Sequence, residues 1–322
     1  MTAATILITG GTGLVGTALT KALLEKGYHV IILTRNPSRY PNPTANPHLC
    51  YAGWDVKKQH IDKDALAKAD HIIHLAGAGV ADKRWSKKRK QEIVDSRVKS
   101  SELIVQVLKE YPNKVQTVVS ASAIGWYGPD PSIPLSNHRE GFIESDPPSQ
   151  DFLGTTCKQW EISIEPVTDL GKRLVILRTG IVLSNNGGAY VEFIKPLHWG
   201  IAAILGNGKQ VISWIHIDDL VRMFIHALEQ KDLSGPYNAV APAPISNKAL
   251  VIEIGKQRRG QFYIPIFVPS FLLKIILGEM SIEVLKSTTV SAARIQATSF
   301  TFLFPTAVAA VRHLLGQRNQ KG

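Results

Sequence analysis

Cysteine is nearly absent: the 322-residue chain has two, Cys50 and Cys157. Two isolated cysteines supply neither metal-ligand spacing nor a disulfide framework, and they fit a reducing compartment. No apolar run approaches the length of a membrane span. The stretch from Phe267 to Leu277 is too short and carries Pro269 and Lys274. No basic-then-apolar leader opens the chain, because Ile6 to Ile8 is brief and runs straight into glycines. These absences point to a cytoplasmic protein with no membrane partner and no metal. Acid is also scarce: 26 Asp and Glu stand against 37 Lys and Arg, a net charge of +11. Such a field suits a phosphorylated cofactor or an acidic substrate. A composition 44% hydrophobic and 20% charged excludes a disordered chain. The length suits one large α/β unit or two coupled domains.

The densest signal is Thr9-Gly10-Gly11-Thr12-Gly13-Leu14-Val15-Gly16. Apolar Ile6-Leu7-Ile8 precedes it, and an amphipathic helical pattern (Leu14, Val15, Ala18, Leu19, Ala22, Leu23) follows, closed by Gly27. A second apolar run, Val30-Ile31-Ile32-Leu33, comes next. Strand, glycine-rich turn, helix, strand is the context in which such glycines bind a dinucleotide. Gly10 allows the tight turn, Gly13 lets the backbone approach a pyrophosphate, and Gly16 lets helix pack on strand. The phosphates then sit on free N–H groups at the helix start. After the second strand, where an NAD site carries an acid for the ribose, the chain reads Thr34-Arg35-Asn36-Pro37-Ser38-Arg39. A hydroxyl and a guanidinium can hold a 2′-phosphate, so Thr34 and Arg35 favour NADP.

Further along, Asp55 ends a third strand and either reaches an adenine or caps the following turn. The strand from His71 runs into Leu75-Ala76-Gly77-Ala78-Gly79, small residues against which a cofactor can lie. His71 and His74 point to opposite faces and make no metal pair. The basic stretch Lys83 to Lys90 reads as the exposed start of a helix beside an anionic cofactor, in preference to a nucleic-acid surface. That helix spans about Lys87 to Tyr111 on an apolar stripe. Glu92 and Arg97 within it read as surface charges. A fifth strand opens into Ser120 to Gly128, where Ser122 could hydrogen-bond a carbonyl or hydroxyl undergoing hydride transfer. A serine holding turn backbone is the plainer alternative.

Taken together, these stretches resemble the short-chain dehydrogenase/reductase superfamily, in its extended, epimerase/dehydratase-like branch. More narrowly they resemble an atypical subgroup of predicted nucleoside-diphosphate-sugar epimerases, some labelled "cell division inhibitor". Besides the glycine turn, the resemblance rests on Leu75 to Ala78, Ala81 to Trp85, Ser96-Arg97-Val98 and Ser122 to Gly128. Cys157 to Glu161, Ser213 to Leu220 and Gly235 to Pro242 complete it, over residues 5 to about 315. It implies NADP contacts at Gly10, Gly11, Thr12, Gly13, Leu14, Val15 and Gly16, and at Thr34 and Arg35. It further implies contacts at Leu75, Ala76 and Gly77, and at Glu92, Arg97 and Lys158. Typical members carry Tyr-x-x-x-Lys, in which lysine lowers the tyrosine pKa for proton exchange. Here the lysine is Lys158, and Gly154 stands four residues before it. The subgroup commonly shares that gap. Tyr127 could substitute, or could be a packing anchor. A homodimer is left open.

The fold expected is a doubly wound, parallel-sheet Rossmann α/β domain with a smaller C-terminal α/β substrate lobe. Residues 1–180, with 214–232 returning, would form the NADP-binding domain. Residues 181–213 and 233–315 would form the lobe, and 316–322 a tail. Asp218 is expected to N-cap the helix after His216. The function expected is an NADP-dependent oxidoreductase or epimerase acting on a small polar, nucleotide-sugar-like molecule. Ser122 would orient the reacting oxygen, Tyr127 would stand in for the missing base, and Lys158 would hold the ribose. The alternative is an NADP-binding regulatory or scaffold protein, because Gly154 offers no base.

Overall fold

The computed structural model describes residues 4–40, 46–131 and 141–319. β1 (Thr5–Thr9), α1 (Leu14–Glu25), β2 (His29–Thr34), β3 (Leu49–Asp55) and β4 (His60–Ile61) open the chain. α2 (Lys63–Lys68), β5 (His71–His74), α3 (Lys87–Glu110), β6 (Thr117–Ala123), α4 (Phe152–Ile164) and β7 (Arg173–Thr179) follow. β1 alternates in the way a strand buried on both faces must. Ile6 and Ile8 join the core under α1, while Leu7 joins the opposite core with Leu66 of α2 and Leu103 of α3. Burying each such side chain is worth roughly 1.5–3 kcal/mol, so this sandwiched layer dominates the stability.

The chain then leaves the sheet through β8 (Ile181–Leu183), α5 (Ala189–Leu197), β9 (Ile201–Leu205), β10 (Val211–Ile212) and β11 (Trp214–His216). α6 (Ile217–Glu229) returns to pack on α1, and β12 (Gly235–Ala239) pairs with β7. The sheet thus has eight strands in the order β12-β7-β6-β5-β1-β2-β3-β4, parallel except for the β3–β4 pair. β13 (Ile245–Ser246), α7 (Asn247–Arg259), β14 (Ile264–Val268), α8 (Ser270–Leu277), α9 (Ser281–Leu285), α10 (Ala293–Gln296) and α11 (Ala307–Asn319) complete the chain. The lobe has its own core, with Leu183, Tyr190, Trp214, Leu250 and Leu314.

One boundary differs from the sequence expectation. β12 belongs to the main sheet, whereas the sequence places residues from 233 onward in the C-terminal lobe. Pro236 is tolerated there because β12 is an edge strand. Gly180 N–H donates to Ala239 O at 3.0 Å, so Gly235, Tyr237 and Ala239 bond to β7 while Pro236 and Asn238 face outward. The outward Asn238 N–H donates to Glu144 Oε1 at 2.8 Å.

Candidate functional site

From β1 the chain passes outward to β2, and from neighbouring β5 to β6 on the other side. A crevice therefore opens at the carboxyl ends of β1 and β5. Gly10 sits there at φ +70°, where a Cβ would lie 2.8 Å from the Leu75 carbonyl carbon. A Cβ on Gly16 would lie 2.4 Å from Gly10 O, so α1 meets the turn without room for a side chain. Gly13 is different: a Cβ there would meet only Gly10 O, at 3.3 Å. Gly13 N-caps α1 with no side-chain hydrogen bond, and no acid stands in the first turn. The positive helix end is left for an anion. Thr12 is exposed beside it, with Leu14 and Val15 half-buried. Above the turn, a Cβ on Gly188 would lie 3.5 Å from Leu14 Cδ2, so the 187–188 segment roofs the start of α1.

Behind the turn, Thr9 Oγ1 lies 2.7 Å from His74 Nδ1 and accepts the N–H groups of Leu75 and Ala76, each at 3.2 Å. His74 Nε2 lies 3.2 Å from Ser101 Oγ. Burial pushes the His74 pKa down to about 3, so the ring is neutral and acts as a strut between β1, β5 and α3. Arg97 Nη1 donates to Ala78 O and Ile93 O, both at 3.0 Å, and its guanidinium lies 5.0 Å from the Trp160 ring centre. A Cβ on Gly77 would come 3.2 Å from Arg97 Cζ. The structure thus brings the glycine turn, Leu75, Ala76, Gly77 and Arg97 together.

Glu92 stands on the same helix as Arg97, just over one turn before it. It is exposed, 2.8 Å from Arg89 Nη1, whose hydrogen bond holds the carboxyl below its usual pKa. Arg89 in turn donates to Gly79 O. Thr34 ends β2 half-buried and Arg35 is exposed just beyond it, beside β1. Asp55 caps a turn, accepting Lys57 N–H at 2.9 Å and Lys58 N–H at 3.2 Å.

Ser122 and Tyr127 enter a buried network. Ser122 Oγ donates to Glu161 Oε1 at 2.6 Å. Arg178 grips the same carboxylate with Nε at 2.9 Å and Nη2 at 2.8 Å. Arg178 Nη1 donates to Tyr127 Oη at 3.0 Å, and Tyr127 donates to Asn238 Oδ1 at 2.6 Å. Burial pushes the Tyr127 pKa up to about 12. Both hydroxyl protons are therefore directed inward, away from the expected roles at a reacting oxygen. Lys158 is exposed on α4. At Gly154 a Cβ would lie 2.2 Å from Ser149 O, so backbone fills the place of the family tyrosine. Burial also pushes the Cys157 thiol up to about 12.

A second polar cluster lies at the start of α6. His216, not Asp218, is the N-cap: its Nδ1 accepts the Asp218 N–H at 3.0 Å. Its Nε2 then carries the proton and faces His313 Nδ1 at 3.2 Å. Burial, with His313 nearby, pushes the His216 pKa down to about 3. Asp218 completes the only group of three metal-type donors among the described residues. With both ring nitrogens of His216 hydrogen-bonded, no lone pair points at a metal.

Comparison with known proteins identifies the family. The model of the NAD dependent epimerase/dehydratase family matches residues 6–240. The chain belongs to that family. A domain of unknown function (DUF1731) matches residues 268–314. An epimerase family protein of Staphylococcus saprophyticus is 33% identical over 299 residues, covering 93% of this chain and 95% of that protein. One from Bacillus subtilis is 31% identical over 314 residues, covering 97% and 98%. A human epimerase family protein solved with NADPH has a TM-score of 0.83 at 26% identity, covering 97% of this chain and 99% of that one. A nucleoside-diphosphate sugar epimerase from Corynebacterium glutamicum has a TM-score of 0.74 at 32% identity, covering 98% of this chain and 59% of that one.

In this epimerase/dehydratase family member, sequence reasoning missed Glu161 and Asp219. Gly154, Cys157, Glu161 and Ile164 share the buried stripe of α4, and an acid on such a stripe signals a hidden partner. Asp219 is fully buried and accepts the N–H groups of Leu303 at 2.8 Å and Phe304 at 2.9 Å. Nothing local distinguishes it from Asp218.

Proposed function

We propose that this family member binds NADP and acts as an oxidoreductase or epimerase-like enzyme on a small polar substrate of the nucleotide-sugar class. The observation that carries the reading is the Gly10–Gly16 turn, open at Gly13, with Arg35 in place of an acid after β2. The human relative solved with NADPH and the C. glutamicum sugar-nucleotide epimerase support it. A bound nicotinamide dinucleotide supplies hydride exchange with the substrate. In this reading the first N–H groups of α1 hold the pyrophosphate, and Thr34 and Arg35 hold the 2′-phosphate. Lys158 offers its ammonium to the ribose. Ser122 and Tyr127 act through Glu161 and Arg178, fixing the end of β6 and the turn beyond it.

Calorimetry with NADPH and NADH tests the cofactor assignment. Wild type should prefer NADPH, and Arg35→Ala should lose about tenfold or more of that affinity while keeping NADH binding, because a charge-assisted bond contributes roughly 1.5–3 kcal/mol. Binding of neither dinucleotide would overturn the proposal.

Gly154 favours a second reading, an NADP-responsive regulatory protein with little turnover. A screen of sugar nucleotides and carbonyl compounds separates the two. Turnover that falls in Lys158→Met indicates the enzyme, whereas NADPH binding without turnover indicates the regulator.

A further inference from the structure

The C-terminal lobe exposes a run of apolar side chains interspersed with lysine and arginine. Residues 254–278 contain Lys256, Arg258, Arg259 and Lys274 but no Asp or Glu. The flanking acids are engaged: Glu253 accepts from Gln257, and Glu279 pairs with Lys90. Within this stretch β14 pairs, among the described residues, with β9 alone; it exposes Ile264 and Ile266 on one face of that two-stranded sheet and Phe267 at the edge on the other. α8 is an inverted amphipathic helix. It buries Leu273 and turns Phe271, Leu272, Ile275 and Ile276 outward, an arc of about 140° at helical spacing, with Lys274 beside it. At the head of β14, Phe262 is 85% and Trp199 86% exposed. Lys248 Nζ lies 5.9 Å from the Phe267 ring centre, and Arg259 donates to the carbonyls of Leu197 and His198, the residues that precede Trp199. Large apolar side chains exposed in this number along one stretch point to an interaction site.

Two features choose its occupant. Ile264 N–H donates to Gly200 O at 2.8 Å, and Val268 O accepts from Gly206 N–H at 2.9 Å. The backbone groups of Ile264, Ile266 and Val268 therefore point to β9, and those of Pro265 and Phe267 to the free edge. Pro265 has no N–H to offer there, which blocks strand addition. A two-fold contact with a second copy would set the same four cations against one another. An acidic surface with an apolar interior satisfies both sets of groups, with Trp and Phe at headgroup depth and Lys and Arg against the phosphates.

We propose that this face docks the protein peripherally on an anionic lipid bilayer. No helix among the described residues is long and apolar enough to cross a membrane. The expectation of no membrane partner rested on that same lack of a spanning run, which excludes crossing and leaves surface docking open.

The test is co-sedimentation of the full chain with phosphatidylcholine vesicles containing about 30% phosphatidylserine, against phosphatidylcholine alone. Binding should require the anionic lipid and weaken with salt. Trp199 emission should shift to the blue on binding, and the shift should vanish in Trp199→Phe. The double variants Phe271→Ser/Ile275→Ser and Lys256→Gln/Lys274→Gln should each lower partitioning about tenfold or more. All four side chains are exposed, so thermal melts should match wild type. Equal binding to both vesicle types, or binding indifferent to both double variants, would overturn the proposal. So would a concentration-dependent dimer in sedimentation velocity that dissociates in the serine double variant, which would give the face to a second copy.

Discussion

A methyl group on Gly16 would stand 2.4 Å from the Gly10 carbonyl oxygen, whereas one on Gly13 meets only that oxygen, at 3.3 Å. The two glycines therefore answer different demands, one of packing and one of access. Gly16→Ala forces backbone against backbone and should lower the stability by about 1–3 kcal/mol, read as a lower urea midpoint. Gly13→Ala should leave the midpoint nearly unchanged and weaken NADPH binding about tenfold or more, because the methyl occupies the approach to the pyrophosphate. Wild-type NADPH affinity in Gly13→Ala would remove the turn from the binding site. A similar separation applies along α4, where Cys157 and Lys158 are neighbours with opposite fates. The thiol is buried and pushed up to about 12, hence inert, while the ammonium is exposed.

At the scale of elements, α4 and β7 are fastened by a charge pair that neither could bury alone. Glu161 and Arg178 are both buried, and the carboxylate accepts two guanidinium N–H groups and the Ser122 hydroxyl. Arg178→Met leaves Glu161 buried without its counter-ion and should cost about 3–5 kcal/mol in urea unfolding. Adding Glu161→Met should recover much of that loss, since an apolar pair of similar volume is a good substitute. A single-variant loss below about 1 kcal/mol would show that water already reaches the pair. Such fastenings mark the limit of what the sequence discloses. β1, α1 and β2 were legible because strand, glycine turn and helix are written in adjacent residues, and α3 ended one residue from its expected limit at Tyr111. Glu161 and Arg178 are 17 residues apart on different layers, and no local period links them. β12 was hidden by Pro236, whose tolerance depends on lying at the edge. The choice between Asp218 and Asp219 as the buried acid is made by the 303–304 segment packing against α6, a contact 84 residues away.

The two halves of the molecule are threaded through each other rather than hinged. Asp130, beyond β6, accepts the Thr289 N–H at 2.6 Å and the Thr289 hydroxyl at 2.7 Å. Thr288 donates to Gly128 O at 2.7 Å, and Asn238 of β12 donates to Ser291 O at 3.1 Å. Lys286 pairs with Glu283 at 2.7 Å and reaches Asp151, the cap of α4, at 3.5 Å. Unfolding should accordingly be one cooperative event, and acid should reveal it. His74 lies in the central sheet and His216 where α6 meets α11, and both are pushed from 6.5 to about 3. A histidine with a depressed pKa stays neutral when folded while the unfolded chain takes up a proton. Its stabilisation is complete above the unfolded value and declines as pH falls from 6.5 toward 3. His71 and His226 shift in the same direction. For the two fully buried rings, going from neutral to about pH 5 should remove roughly 4 kcal/mol, about 2 from each. Urea titrations across that range should show a single transition whose midpoint falls steadily. His74→Asn should lose about half the pH dependence while keeping one transition. Two transitions, with only one of them acid-sensitive, would mean that the 288–291 strap does not couple the halves.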